Sequence, residues 1–94
     1  MIEVRQTDIF ANWFNKLRDR KAKARIDRIE IGNFGDVAPI GEDVSELRMH
    51  YGSGYRVYFI QRGLVVVILI PGGDKGSQNA DIKRAKEISK QLED

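Results

Sequence analysis

The stretch Glu46-Leu47-Arg48-Met49-His50-Tyr51-Gly52-Ser53-Gly54-Tyr55-Arg56-Val57-Tyr58-Phe59-Ile60 decides the fold. Leu47, Met49 and Tyr51 alternate with Glu46, Arg48 and His50; beyond the glycines, Tyr55, Val57 and Phe59 alternate with Arg56, Tyr58 and Ile60. Period-two alternation on both sides of Gly52-Ser53-Gly54 is the pattern of a β-hairpin. With residues 52–54 as the loop, Tyr51 faces Tyr55 and Met49 faces Val57. A two-residue loop pairs Met49 with Tyr58 and mixes the faces, so the pattern selects the longer one. His50 then lies opposite Arg56, and Arg48 opposite Tyr58. This cationic side is expected to face solvent while the apolar side seals against helices.

Working outward, Arg62-Gly63 turns into Leu64-Val65-Val66-Val67-Ile68-Leu69-Ile70, a continuous apolar run that reads as a strand buried on both faces and central in its sheet. Pro71-Gly72-Gly73 ends it. At the start of the chain Ile2 and Val4 alternate with Glu3 and Arg5, a short first strand. Thr7 is placed to cap a helix that puts Ile9, Phe10, Trp13, Phe14 and Leu17 on one face. A second helix is expected from about Arg20 to Asn33, with Ala22, Ile26 and Ile29 inward and Gly32 and Gly35 as stops. Asp36 to Asp43, with Pro39 and Gly41, reads as a loop. A last helix is expected from about Asn79, with Ile82, Ala85, Ile88 and Leu92 as its apolar stripe. The order β-α-α-β-β-β-α is that of one α+β domain over residues 1–94: a small, mostly antiparallel sheet with two N-terminal helices packed on it and a C-terminal helix.

Ninety-four residues without cysteine exclude a disulfide framework, thiolate metal sites and a cysteine nucleophile. His50 is the one histidine, which argues against a histidine zinc site; no metal and no cofactor are expected. The eight-residue run Leu64–Pro71 is far short of the roughly 20 residues of a spanning helix. The N-terminus has no signal pattern, so the chain reads as cytoplasmic with no membrane partner. The net charge is only +2, yet Arg18, Arg20, Lys21, Lys23, Arg25 and Arg28 cluster against Asp19 and Asp27. A polyanion or an acidic protein suits that stretch, as does a solvated helix face.

Several catalytic plans fail. No serine has the context of a nucleophile, the segment Gly72-Gly73-Asp74-Lys75-Gly76-Ser77 lacks phosphate-loop spacing, and the carboxylates are scattered. What remains is cationic chemistry on a sheet: Arg48, His50 and Arg56, with Lys75 following the long strand. Guanidinium groups bind phosphate oxygens in pairs and stabilise charge growing on phosphorus. RNA cut by its own 2′-hydroxyl needs no metal and no protein nucleophile. Tyr58, Gln78, Lys83, Lys21 and Lys23 are the candidate RNA contacts. The bland readings stand beside these: Arg48 and Arg56 also suit exposed residues or partners of Glu46, Tyr58 a packing residue, and Lys83 a solvent-facing one.

The segments Glu46-Leu47-Arg48, Tyr51-Gly52-Ser53-Gly54-Tyr55-Arg56-Val57-Tyr58 and Val65 through Gln78, with Asp81-Ile82-Lys83-Arg84-Ala85 and the early Phe14-x-x-Leu17-Arg18-Asp19, resemble the HigB-like addiction module killer branch of the RelE/ParE superfamily. The resemblance implies the toxin of a type II toxin–antitoxin system: a ribosome-dependent, metal-independent endoribonuclease acting on translated mRNA. Its implied partners are the ribosome, the mRNA and a cognate helix-turn-helix antitoxin, with operator DNA reached only through the toxin–antitoxin complex. Arg56 matches the family's strand arginine at the scissile phosphate; Arg48, His50 and Lys75 fall where relatives place basic residues. Where many relatives have an aromatic acid/base, this chain has Gln78, Asn79 and Asp81, which makes His50 the leading candidate for proton transfer. The same fold also serves ParE-like gyrase poisons and partner-binding modules without catalysis, and both are alternatives.

Overall fold

The computed structural model describes residues 2–49, 54–73 and 75–92, Lys75 by its backbone alone. Strand β1 (Glu3–Gln6) ends at Thr7, whose hydroxyl accepts from the Phe10 amide at 3.2 Å and donates to the Leu69 carbonyl. One side chain thus caps helix α1 (Asp8–Lys16) and ties it to the sheet. Asp19 repeats the device, accepting from the Lys21 and Ala22 amides at the start of α2 (Arg20–Asp27). The second helix is shorter than expected: it tightens into a 3-10 turn, Arg28–Ile31, and stops where Gly32 takes the left-handed conformation.

Four strands follow: β2 (Val37–Gly41), β3 (Val44–Arg48), β4 (Arg56–Arg62) and β5 (Val65–Gly72). The sheet order is β1-β5-β4-β3-β2, with β1 parallel to β5 and the remaining pairs antiparallel. The α+β class and the mostly antiparallel sheet are as the sequence implies. Strand β2 corrects the loop expected from Asp36 to Asp43. Pro39 is tolerated because β2 is an edge strand. Its turn to β3 is two residues long with Glu42 and Asp43 both at positive φ, a hairpin geometry that Asn-Gly usually signals. The chain ends in a 3-10 turn, Lys75–Ser77, and α3 (Gln78–Gln91).

The helices divide between the two faces of the sheet. Phe10, Ala22, Ile26 and Ile29 from the α1–α2 layer pack on Leu47, Met49, Val57, Phe59, Val66 and Ile68. On the other face Ala85, Ile82 and Ile88 of α3 pack on Val44, Tyr58, Ile60, Leu69 and Ile70. The expectation of one sealed face and one open face is therefore corrected: α3 covers the side that carries the arginines. Strand β5 is buried toward both layers, as its composition requires, and a bulge at the Tyr58/Phe59 register shift lets adjacent Leu69 and Ile70 both join the α3 cluster. In α3 the inward face runs through Ala85 and Ser89, whereas Leu92 is 44% exposed and leaves the expected stripe. No helix among the described residues is long and apolar enough to cross a membrane.

Candidate functional site

Strands β3 and β4 meet in a register displaced by two residues from the one expected. Leu47 pairs with Val57, Glu46 with Tyr58 and Arg48 with Arg56, and the Met49 amide donates to the Tyr55 carbonyl at 2.9 Å. The expected pairs Arg48–Tyr58 and Met49–Val57 are not formed, and Arg56 has Arg48 rather than His50 as its partner. The slip is even, so every side chain stays on its assigned face and the hydrophobic pattern is blind to it. His50, Tyr51, Gly52, Ser53 and Asp74 lie outside the described residues, as does the side chain of Lys75.

The new register assembles a cluster around Glu46, which is fully buried. Its carboxylate accepts from Arg48 Nε at 2.8 Å, from the Tyr58 hydroxyl at 2.8 Å, and from Gln78 Nε2 at 3.0 and 3.3 Å. Arg56 Nε stands 3.9 Å from the same carboxylate, a charge contact too long for a hydrogen bond. That Nε is itself buried with no hydrogen-bond partner, while Arg56 Nη1 donates to the Gly73 carbonyl at 3.1 Å. A buried donor left unpaired costs about 1–3 kcal/mol, so Arg56 is held short of its best geometry. Three elements converge here: β3 supplies Glu46 and Arg48, β4 supplies Arg56 and Tyr58, and the first residue of α3 supplies Gln78.

The electrostatics follow. Burial alone raises the Glu46 carboxyl, but the hydrogen bonds from Arg48, Tyr58 and Gln78 and the charge of Arg48 outweigh it and hold the group below its usual range. Burial pushes the Tyr58 phenol well above its ordinary value, and the hydrogen bond and charge of Glu46 push it further. Glu46 is thus the anion of the cluster and Tyr58 a neutral donor. Two guanidiniums share this carboxylate, and Asp36 beside Arg48 and Asp81 near Tyr58 add further negative charge to the surroundings. Arg48 is 43% exposed along its side chain and Arg56 16%, so positive charge reaches the surface mainly through Arg48.

The remaining expected contacts fall in different places. Tyr58 is fully buried and offers no open ring for a base to stack on. Gln78 faces inward to Glu46. Lys83 is exposed on α3. Lys21 and Lys23 stand on α2, whose buried side joins the opposite face of the sheet; Lys23 Nζ lies 5.3 Å from the Phe14 ring centroid. The structure therefore brings together Arg48, Arg56, Tyr58 and Gln78 and leaves the α2 lysines in another layer. Glu46 was not singled out as a site residue by the sequence, although its shared parity with Arg48, two residues away, was a usable signal. Among the described residues no group of three or more His, Cys, Asp or Glu could hold a metal ion.

No protein-family model matches the chain. An uncharacterized protein of Haemophilus influenzae strain Rd is 43% identical over 95 residues, an alignment that takes in 97% of this chain and 96% of that protein. The chain belongs to the same family as this Haemophilus influenzae protein.

Proposed function

We propose that the protein is a RelE/ParE-like toxin of a type II toxin–antitoxin pair, acting in the cytoplasm as a metal-independent endoribonuclease on ribosome-bound mRNA. The observation that carries this reading is the direct pairing of Arg48 with Arg56 at the end of the β3–β4 ladder, both anchored on one buried carboxylate. Two guanidiniums on neighbouring strands suit the nonbridging oxygens of one phosphodiester. In the proposed reaction the RNA 2′-oxygen attacks phosphorus and loses its proton, and the bond to the 5′-oxygen breaks as that oxygen gains one. The products are a 2′,3′-cyclic phosphate and a 5′-hydroxyl. Arg48 and Arg56 stabilise the charge on the pentacoordinate phosphorus, and Lys75 adds to the field. His50 is assigned the proton transfer. In this reading a helix-turn-helix antitoxin silences the toxin, and the complex binds operator DNA through the antitoxin.

The test is translation-dependent cleavage of a reporter mRNA with purified ribosomes. Cleavage by the native protein that is lost in a folded Arg56→Ala variant supports the assignment; unchanged cleavage by that variant removes Arg56 from the mechanism. A second reading, a partner-binding module without catalysis, is favoured by the engagement of both guanidiniums with Glu46. Expression without growth arrest, with partner binding retained, selects it. DNA damage with intact mRNA selects a ParE-like gyrase poison instead.

A further inference from the structure

We propose that Glu46 is a positioning residue: its buried carboxylate sets the spacing and orientation of Arg48 and Arg56 for a single phosphodiester. The inference rests on the reading of these arginines as a phosphate site. Glu46 is fully buried, so it cannot itself meet a substrate. A purely structural need at this place would be met as well by an apolar side chain, since a buried ion gains little stability over a hydrophobic group of similar volume. What an apolar side chain cannot do is hold guanidiniums.

The geometry points to that task. Arg48 Nε donates to the carboxylate at 2.8 Å while 43% of its side chain stays exposed, so the guanidinium is anchored at one atom and still reaches the surface. Arg56 is fixed at two points, by the Gly73 carbonyl on Nη1 and by the charge of Glu46 beside Nε. Tyr58 and Gln78 in turn fix the carboxylate, so the arginines inherit their placement from β4 and from the start of α3. At Arg56 Nε the 3.9 Å separation is a charge contact without a hydrogen bond, so Glu46 holds this guanidinium the less tightly of the two.

Coulomb's law and positioning predict opposite outcomes when Glu46 loses its charge, which makes the inference testable. In Glu46→Gln the cluster becomes more positive, so electrostatics alone predicts tighter RNA binding and no slower turnover. Positioning predicts that kcat for cleavage of ribosome-bound mRNA falls by about tenfold or more, with KM changed by no more than about twofold. Nitrogen-15 NMR of the Arg48 Nε–H group, which is bonded to Glu46, gives an independent reading: the signal exchanges slowly with solvent in the native protein and rapidly in the variant. Unchanged or faster cleavage, or an Arg48 signal as protected as in the native protein, overturns the inference. If the native protein cuts no translated mRNA, the ribonuclease reading fails by itself, and Glu46 is judged on the Arg48 signal alone. If Glu46→Gln does not fold, Gln78→Leu, which removes one donor from the carboxylate, is read by the same two measurements.

Discussion

Glu46 and Tyr58 are register partners on β3 and β4, and the tyrosine hydroxyl donates to the carboxylate at 2.8 Å with both side chains fully buried. The pair lies under α3, on the face that also carries Arg48 and Arg56. An ionised carboxylate there is tolerable only because donors from three elements meet it. The polar cluster and the α3 core are therefore one structure, and disturbing either is felt in the other.

Tyr58→Phe removes one donor from Glu46 and keeps the ring that packs beneath α3. A hydrogen bond to a charged group contributes about 1.5–3 kcal/mol, so urea denaturation is expected to show a loss of that size. The unfolding slope should not change, because the surface exposed on unfolding is nearly the same.

Stability at low pH is expected to depend on Glu46. Its folded-state pKa lies below the ordinary 4.5, so the unfolded chain takes up the proton first as pH falls. The contribution is complete above the ordinary value and is lost as pH drops through the lowered one. Comparing Glu46→Gln with the native protein in urea, the native advantage should hold constant from neutral pH down to near the ordinary 4.5 and shrink as pH falls further. An advantage that stays constant well below the ordinary 4.5 contradicts the assigned ionisation.

Gly72 is buried, and a Cβ built on it comes within 2.6 Å of Tyr58 Cε2 and 3.1 Å of Arg56 Cβ. Gly72→Ala must push the Tyr58 ring or the strand aside. Overpacking of this kind costs about 1–3 kcal/mol. The thermal midpoint should drop, and slow exchange of the Arg48 Nε–H group should weaken, since Tyr58 fixes the carboxylate that holds it.

Thr7→Ala removes the cap of α1 and the hydroxyl bond to Leu69 together. Loss of a threonine cap costs about 0.5–2 kcal/mol, and the tie to β5 places this one toward the upper end. Hydrogen exchange should report faster opening of the first turn of α1. Protection of β3 and β4 should follow only the global loss of stability.

Much of this molecule is legible along the chain because burial imposes a period. Alternation in residues 46–60 assigns the side chains of residues 46–48 and 56–60 to their faces, and the apolar run 64–70 marks an interior strand. The spacing of Phe10, Trp13 and Phe14 and the residue Thr7 mark α1 and its start. These are local consequences of side-chain direction and capping chemistry, so the order and class of the elements follow without coordinates.

Other features depend on distant contacts and leave no periodic trace. Strand β2 contains Pro39 and Gly41 and turns through Glu42-Asp43; only pairing with β3 makes it a strand. The β3–β4 register differs by two residues from the simplest hairpin, and a period of two cannot detect an even shift. Burial of Glu46 arises from α3, which begins at Gln78, 32 positions along the chain. Periodicity by itself determined which residues share a surface. Which of them touch, and which charge the fold encloses, was decided by strand register and helix docking, because those are set by packing between segments that sequence separates.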